Sequence, residues 1–197
     1  MISYSLIFTI FFLMGSIPTA YLAGKVLQGK DLRKFGSGNI GATNAFRVLG
    51  MNAGFFVFAV DFFKGFLPIL ITKPLFLGHE NLVWLTAGPI LGHIFTPFLG
   101  FKGGKGVATG AGVLLALGPD LFAFSLGVWL LIFFIFRMVS VGSLVSSTLL
   151  PLWAWIRGYP IHEIFFISVL SVLLICTHRA NIRRLLRGQE GRSDKLS

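Results

Sequence analysis

The chain has 197 residues, of which 55% are hydrophobic and 12% charged, and its mean hydropathy is +0.83. Soluble domains carry about 25% charged residues, so this composition excludes an ordinary soluble protein and predicts an integral membrane protein. The net charge of +10 does not indicate a nucleic-acid partner, because the basic residues flank apolar stretches, where membrane lipids and anionic ligands are the expected partners.

Seven apolar stretches predict an all-α bundle of about seven transmembrane helices in a single membrane domain. A helix needs about 20 residues to cross the bilayer, so the fourth stretch crosses only if its helix begins near Gly104. If the fourth and fifth stretches do not each cross, five spans remain. Pro18 is expected to kink the first span. The predicted domain is 1–197, and its spans cover residues 3–23, 51–71, 82–100, 104–117, 121–136, 139–156 and 164–177.

The positions of Lys and Arg predict the orientation of these spans. With the N-terminus outside and the C-terminus in the cytosol, 14 of the 17 basic residues lie on the inner side. Lys73 and Arg157 lie outside, and Lys64 lies within a span. This distribution follows the positive-inside rule. It places three polar segments on the cytosolic face, at residues 36–47, 101–110 and 178–190.

The first polar segment, residues 36–47, reads GSGNIGATNAFR and contains no acidic residue. Its glycines allow backbone N–H groups to approach a ligand closely. Its side chains offer neutral hydrogen-bonding groups and one guanidinium that suits phosphate. The match to the dinucleotide motif GxGxxG is only formal, because a membrane helix and not a β-strand precedes it. The segment predicts an anion site formed by Gly36, Ser37, Gly38, Asn39, Gly41, Thr43, Asn44 and Arg47.

The second polar segment, residues 101–110, reads FKGGKGVATG and precedes an apolar helix. It is not a Walker A loop, because Leu99 stands where that loop needs its first glycine. The physical ingredients are nevertheless similar, since exposed N–H groups, a helix N-terminus and lysine charge occur together. A positive anchor on the inner side would explain the lysines but not the glycines. We therefore expect a second anion site formed by Lys102, Gly103, Gly104, Lys105 and Gly106.

The third polar segment, residues 178–190, reads HRANIRRLLRGQE. Basic residues that leave a membrane helix are most often lipid-headgroup anchors, which is the simplest reading of Arg179, Arg184 and Arg187. His178 and Asn181 are three residues apart and share a helix face, and headgroup anchoring requires neither of them. Their position therefore indicates a second, chemical role for the segment.

Asp61, Lys64 and His93 are ionisable residues that lie within the predicted apolar spans. Asp61 and Lys64 lie three residues apart and are expected to form an ion pair that supports the site, because an unpaired charge in a membrane is costly. His93 is expected to be a hydrogen-bonded packing residue. The histidines lack the spacing of metal ligands, so we expect no metal site and no cofactor.

Taken together and in this order, the three polar segments resemble the three motifs of the bacterial membrane acyl-phosphate:glycerol-3-phosphate acyltransferase family. The resemblance covers the whole chain. It implies transfer of a fatty acyl group from acyl phosphate to the sn-1 hydroxyl of glycerol 3-phosphate, which gives lysophosphatidic acid and phosphate in phospholipid biosynthesis. It also implies a multi-pass protein of the bacterial cytoplasmic (inner) membrane, with its active site on the cytosolic face.

The residues suit this chemistry, because two phosphorylated substrates need two anion subsites and an acyl phosphate is already activated. Ser37, Arg47 and Lys105 are expected to bind glycerol phosphate. Lys102, or N–H groups of residues 103–106, are expected to hold the acyl-phosphate headgroup. His178 and Asn181 are expected to orient the attacking hydroxyl or to close the phosphate site, and the base is expected to be His178 or a substrate phosphate. The expected catalytic residues are His178, Asn181, Lys105 and Ser37. The expected substrate-binding residues are Gly36, Gly38, Asn39, Gly41, Thr43, Asn44, Arg47, Lys102, Gly103, Gly104, Gly106, Arg179 and Glu190.

Two other classes of function remain open from composition and spacing alone. A transporter of an organic phosphate also needs buried anion donors, but the donors here gather at one face and no internal repeat is visible. A lipid-binding membrane subunit would explain the basic tail but not residues 36–47. The sequence leaves the oligomeric state, the acyl-chain preference and the pairing of motifs with phosphates undetermined.

Overall fold

The computed structural model describes residues 4–75 and 83–191, and every regular element in these ranges is a helix. The predicted all-α fold is confirmed. Residues 3 and 82, at which two predicted spans begin, lie outside the described ranges. The chain forms two compact units, Met1–Leu117 and Gly118–Ser197. The single membrane domain stays a prediction.

The first unit contains six helices in its described residues, together with short 3₁₀ turns at Leu32–Lys34, Lys73–Leu75 and Pro97–Leu99. An apolar cluster of small and branched side chains, including Ala20, Ile40 and Val57, fills the space among the second, third and fourth helices. The six helices are α1 (Tyr4–Gly15), α2 (Thr19–Gln28), α3 (Ala42–Leu49), α4 (Met51–Thr72), α5 (Ala87–Ile94) and α6 (Val107–Leu117).

The first span is longer than predicted and is interrupted. It runs over Tyr4–Gln28, a 25-residue apolar stretch, instead of ending at residue 23. The interruption lies between Gly15 and Thr19, at the predicted position of Pro18, because proline has no N–H for the preceding turn. Helix α2 ends where Gly29 adopts the left-handed conformation (φ 64°) that glycine tolerates without strain.

Glycines allow close packing between the helices of this unit. Gly88 and Gly92 of α5, four residues apart, face α1, and a Cβ on Gly92 would collide with the carbonyl oxygen of Phe12. Helices α4 and α6 meet in the same way at Gly65 and Gly112, where a Cβ would collide with backbone of the opposite helix. Close backbone approach through small residues is a common way to pack helices inside membranes.

The predicted third span corresponds to an apolar helical stretch, Val83–Leu99, that is interrupted within the described residues, and the fourth is shorter than predicted. Helix α5 ends at Ile94, because Thr96 is extended before Pro97 and the chain turns there. Helix α6 begins at Val107 and not at Gly104, because residues 103 and 104 bond back to α5. With 11 residues, α6 is about 16 Å long, roughly half the hydrocarbon core of a bilayer.

The second unit contains four helices in its described residues. Helix α8 packs against both α7 and α9, and Gly142 of α8 lies against the Trp129 ring of α7. The indole ring of Trp153 stacks on Phe124 with ring centroids 4.5 Å apart. The last two helices meet at His178 with a bend of 59°. The four helices are α7 (Pro119–Phe136), α8 (Val139–Ile156), α9 (Ile161–Thr177) and α10 (Arg179–Leu186).

The helix lengths support four membrane crossings within the described residues, or five if the bent pair α9–α10 counts as one. The seven full crossings predicted from the sequence are not confirmed, since α5 and α6 are too short. The predicted boundaries of α8 are correct, α7 begins two residues earlier than predicted, and α9 begins at Ile161 instead of residue 164.

Candidate active site

The first polar segment folds as a loop that leads into α3. Gly36 (φ 60°) and Gly38 (φ 72°) both adopt the left-handed region, which explains why glycine occupies these two positions. A Cβ on Gly36 would also collide with the side-chain amide of Asn44. Gly41 precedes the first residue of α3, Ala42, so the second half of the segment is helical.

Asn44 lies beneath this loop and holds it together. Its side chain is 1% exposed. Its Oδ1 accepts the N–H of Ser37 at 2.9 Å, and its Nδ2 donates to the carbonyls of Leu32 and Phe35 at 3.2 and 3.1 Å. The amide therefore satisfies backbone groups of the loop, which is a different use from the substrate contact predicted for it.

The outer surface of the loop carries the predicted phosphate-binding groups. Ser37 and Arg47 are exposed, and Thr43, one helical turn before Arg47, is half-buried, as are Asn39 and Gly41. Arg33 lies nearby, but its guanidinium makes a two-point ion pair with Asp31 (2.9 and 2.7 Å) and stacks on Tyr21. The hydrogen bond from Arg33 lowers the pKa of Asp31 to about 2. The Arg33 charge is thus neutralised locally.

The second polar segment turns back onto the end of α5. The N–H of Gly103 donates to the carbonyl of Ile94 at 2.8 Å, and the N–H of Gly104 donates to the carbonyl of His93 at 3.1 Å. A Cβ on Gly103 would collide with these two carbonyls, and a Cβ on Gly104 would collide with the His93 ring. These two glycines are explained by close contact with α5.

These contacts bear on the two alternatives given for the acyl-phosphate headgroup. The N–H groups of Gly103 and Gly104 are already bonded to α5, whereas the side chain of Lys102 is exposed. Lys105 is half-buried, and Gly106 is buried with φ 83° just before α6 begins. Leu99, which precedes the segment, packs against the apolar cluster that underlies the first loop.

A polar cluster is buried where α2, α4 and α5 meet. The Asp61 carboxylate accepts from Lys64 Nζ at 2.8 Å and from Thr19 Oγ1 at 2.9 Å, which confirms the predicted ion pair. Lys64 also donates to the carbonyl of Ile17 at 2.9 Å. The Nδ1 atom of His93 lies 3.8 Å from Asp61 Oδ1, beyond hydrogen-bonding distance, so the predicted hydrogen bond of this ring is not seen at Nδ1 among the described residues.

The third polar segment is tied together by Glu190. Its carboxylate accepts hydrogen bonds from Ser140 Oγ (2.7 Å), Asn181 Nδ2 and Arg184 Nε (2.7 Å). Burial raises the pKa of Glu190, but these three hydrogen bonds outweigh it and the net pKa is lowered. Glu190 and Arg184 thus fasten the end of the segment to α8, while Arg179 is exposed.

His178 occupies the junction of α9 and α10 and is 2% exposed within the described structure. Its Nδ1 lies 2.8 Å from the carbonyl oxygen of Leu174. A carbonyl only accepts, so Nδ1 carries the hydrogen of the neutral ring and Nε2 carries the lone pair. This tautomer suits a ring that accepts a proton or a hydrogen bond through Nε2.

The sequence analysis missed Thr19, which bonds the buried Asp61, and Ser140, which bonds Glu190, and it did not predict that the His93 ring contacts Gly104. Thr19 and Ser140 are polar residues on otherwise apolar helices, a signal that was available. The contact between His93 and Gly104 had no such signal, because it depends on the turn of the chain after α5.

Known proteins share this arrangement of helices and loops. A family model described as glycerol-3-phosphate acyltransferase matches residues 5–188. The glycerol-3-phosphate acyltransferase of Aquifex aeolicus (strain VF5) is 45% identical over 183 residues, which cover 92% of this chain and 94% of the relative.

Two solved structures extend the likeness to three dimensions. Both are crystal structures of PlsY (YgiH), an integral membrane glycerol 3-phosphate acyltransferase, and each alignment covers 96% of this chain and 94% of that protein. The glycerol 3-phosphate form has a TM-score of 0.91 at 42% identity, and the lysophosphatidic acid form has a TM-score of 0.88 at 41% identity. The chain therefore belongs to the glycerol-3-phosphate acyltransferase family and is an integral membrane acyltransferase.

Proposed function

We propose that this enzyme transfers a fatty acyl group from acyl phosphate to the sn-1 hydroxyl of glycerol 3-phosphate. The products are lysophosphatidic acid and inorganic phosphate. The similar PlsY structures in glycerol 3-phosphate and lysophosphatidic acid forms support this substrate and this product. The reaction belongs to phospholipid biosynthesis in the bacterial inner membrane, with the three polar segments on the cytosolic side.

Acyl phosphate is the donor that suits these residues best. It is a mixed anhydride with a good leaving group, so the glycerol hydroxyl can attack its carbonyl directly. The new ester C–O bond forms, the bond between the acyl carbon and the phosphate oxygen breaks, and the hydroxyl proton passes to a base. The chain's own contribution is then to hold two anions, orient the hydroxyl and stabilise the developing oxyanion.

The observation that carries the proposal is that residues 36–47 contain side chains that face inward and side chains that face outward. Asn44 uses its amide to hold the loop from within, and Ser37 and Arg47 are thereby presented on its outer surface. Such preorganised donors suit a phosphate, because a guanidinium can bind it through two parallel hydrogen bonds. We assign the phosphate of glycerol 3-phosphate to Ser37, Arg47 and Lys105, and the acyl-phosphate headgroup to Lys102.

In the second unit, we assign the hydroxyl chemistry to His178 and Asn181. The Nδ1–H tautomer of His178 leaves Nε2 able to accept the hydroxyl proton or to orient the hydroxyl. A substrate phosphate is the alternative base, in which case His178 contributes a hydrogen bond and no proton transfer. Asn181 is held by Glu190, which fixes its side chain.

The reaction is tested with purified protein in lipid vesicles, supplied with glycerol 3-phosphate and either palmitoyl phosphate or palmitoyl-CoA. We expect lysophosphatidic acid and stoichiometric phosphate from the acyl phosphate alone. Product from the CoA ester alone would overturn the donor. Failure of both donors, with glycerol 3-phosphate accumulating inside the vesicles, would instead indicate transport.

The phosphate site is tested with a matched pair of arginine variants. Arg47→Gln should lower kcat/KM for glycerol 3-phosphate about 100-fold, since hydrogen bonds to charged groups contribute roughly 1.5–3 kcal/mol each. Arg33→Gln removes the same charge nearby, but that guanidinium is already paired with Asp31, so kcat/KM should change less than about threefold. Equal effects of the two changes would show that only overall charge matters.

A further inference from the structure

The glycine turn of the second polar segment lies directly on a buried histidine. The ring of His93 is 7% exposed and stands between two groups. Its Nδ1 edge faces the carboxylate of Asp61 at 3.8 Å, and its Nε2 edge lies where a Cβ on Gly104 would be. Ring and turn are therefore in van der Waals contact, with Lys105 as the next residue along the chain.

A buried ion pair lies beside the ring of His93. Asp61 and Lys64 are bonded to each other, and hydrogen bonds from Thr19 and to the carbonyl of Ile17 hold them against the start of α2. A charged pair at the middle of a 22-residue apolar helix is expensive and is a functional hypothesis by default. The reaction assigned above makes no direct use of Asp61, Lys64 or the neighbouring His93.

We propose that His93 is a positioning residue: its imidazole, wedged between Asp61 and Gly104, sets the position of residues 103–106 and thereby where Lys105 presents its ammonium group to glycerol 3-phosphate. The inference rests on the proposed function, because it assigns that substrate to Lys105. Its physical basis is contact: a turn displaced from the ring carries Lys105 away from the phosphate and weakens the binding of glycerol 3-phosphate.

The two neighbouring glycines provide a matched test. At Gly104, the nearest atoms to a new Cβ are all in the His93 ring, namely Nε2, Cε1 and Cδ2. At Gly103, the nearest atoms are backbone, namely the carbonyls of His93 and Ile94. Neither glycine has the positive φ that would strain an alanine, so each substitution adds only a methyl group. Truncating the side chain of His93 therefore makes room for a Cβ at residue 104 but not at residue 103.

The experiment measures KM for glycerol 3-phosphate, and its binding by calorimetry, in His93→Ala, Gly104→Ala, Gly103→Ala and the two double variants. Gly104→Ala should raise KM at least tenfold with kcat within about threefold of the unchanged enzyme, because the turn is pushed away and the chemical groups remain. His93→Ala alone should raise KM a few-fold, since the backbone hydrogen bonds of the turn persist. Gly104→Ala/His93→Ala should return to the KM of His93→Ala, while Gly103→Ala/His93→Ala should not improve on Gly103→Ala.

Each result decides the inference. A Gly104→Ala/His93→Ala enzyme no better than Gly104→Ala would overturn it, as would equal rescue of Gly103→Ala. A fall in kcat with unchanged KM in Gly104→Ala would also oppose the inference, because it would indicate only a smaller fraction of folded enzyme. If Gly104→Ala does not fold, recovery of folding and of KM in the double variant supports the inference, and an unfolded double variant opposes it. The unchanged enzyme in the same assay tests the proposed function separately. If no product forms, calorimetry still measures how each change at the turn alters the binding of glycerol 3-phosphate.

Discussion

Ser37 and Asn44 are joined across the first polar loop by a hydrogen bond of 2.9 Å from the Ser37 N–H to the Asn44 Oδ1. Asn44 is buried and Ser37 is exposed. The pair separates two positions within one short segment: the inner residue sets the path of the chain, and the outer residue is exposed where we propose that the substrate binds. The same separation recurs in the second segment, where His93 lies beneath the turn that carries Lys105.

The first prediction concerns Asn44. Asn44→Ala removes all three hydrogen bonds of the amide, so the free energy of unfolding should fall by about 2 kcal/mol and activity should fall with it. Arg47→Ala, on the exposed side of the same helix, should abolish most activity while changing stability by less than about 0.5 kcal/mol. Thermal unfolding in detergent and initial rates compare the two. An inactive Asn44→Ala of unchanged stability would instead support direct substrate contact.

The second prediction concerns the buried ion pair. Lys64→Met leaves the Asp61 carboxylate without its countercharge in an apolar surrounding, and Asp61→Leu does the same to Lys64, so each should cost about 3–5 kcal/mol. The double variant Asp61→Leu/Lys64→Met should cost less than either single change, because no uncompensated charge remains. Chemical unfolding of the four proteins gives the coupling energy. Strictly additive costs would mean that the two charges do not interact.

The third prediction concerns acid stability through Glu190. The folded state lowers the pKa of Glu190 below its ordinary value of 4.5. The carboxylate therefore stabilises the fold at pH values above 4.5, and this contribution is lost as the pH falls below that value and the group is protonated. The melting temperature of the unchanged enzyme should drop below about pH 4.5 more steeply than that of Glu190→Gln.

A control is available for this comparison in the same unit. Glu163→Gln removes one carboxylate from the first turn of α9, which lies outside the Ser140, Asn181 and Arg184 cluster. Its acid profile should follow that of the unchanged enzyme. If Glu163→Gln and Glu190→Gln flatten the profile equally, the effect is one of net charge and the hydrogen bonds to Glu190 are not its source.

The long helices and the ion pair were predictable from the sequence, because both depend on local periodicity. Residues 139–156 were predicted to the residue, and the spacing of Asp61 and Lys64 placed both on one face of α4. The short helices were not predictable, because α6 starts only after residues 103 and 104 have bonded back to α5. An apolar composition does not reveal where such a return occurs.

In the candidate site, the direction in which a single side chain points was likewise not predictable from the sequence. A polar residue in a glycine-rich loop predicts a ligand contact equally well whether it points outward, as Ser37 does, or inward, as Asn44 does. The direction depends on the path of the whole loop. Likewise, Gly103 and Gly104 indicated an anion cradle, whereas the His93 ring and two carbonyls explain the absence of their side chains.

The last prediction separates two roles of His178. His178→Asn retains a donor for the carbonyl of Leu174 in place of Nδ1 but removes the group at Nε2, whereas His178→Gln places an amide near Nε2. If Nε2 removes the hydroxyl proton, both variants should lose about 10²–10⁴ in kcat at saturating substrates, because an amide is not a base. If a substrate phosphate is the base, kcat of His178→Gln should stay within about tenfold of the unchanged enzyme, because its amide still orients the hydroxyl, while kcat of His178→Asn falls further.

Equal melting temperatures of the two His178 variants would assign the difference in kcat to chemistry and not to folding. We expect the large loss in both, since a ring held as the Nδ1–H tautomer in a buried position is preorganised to accept a proton at Nε2.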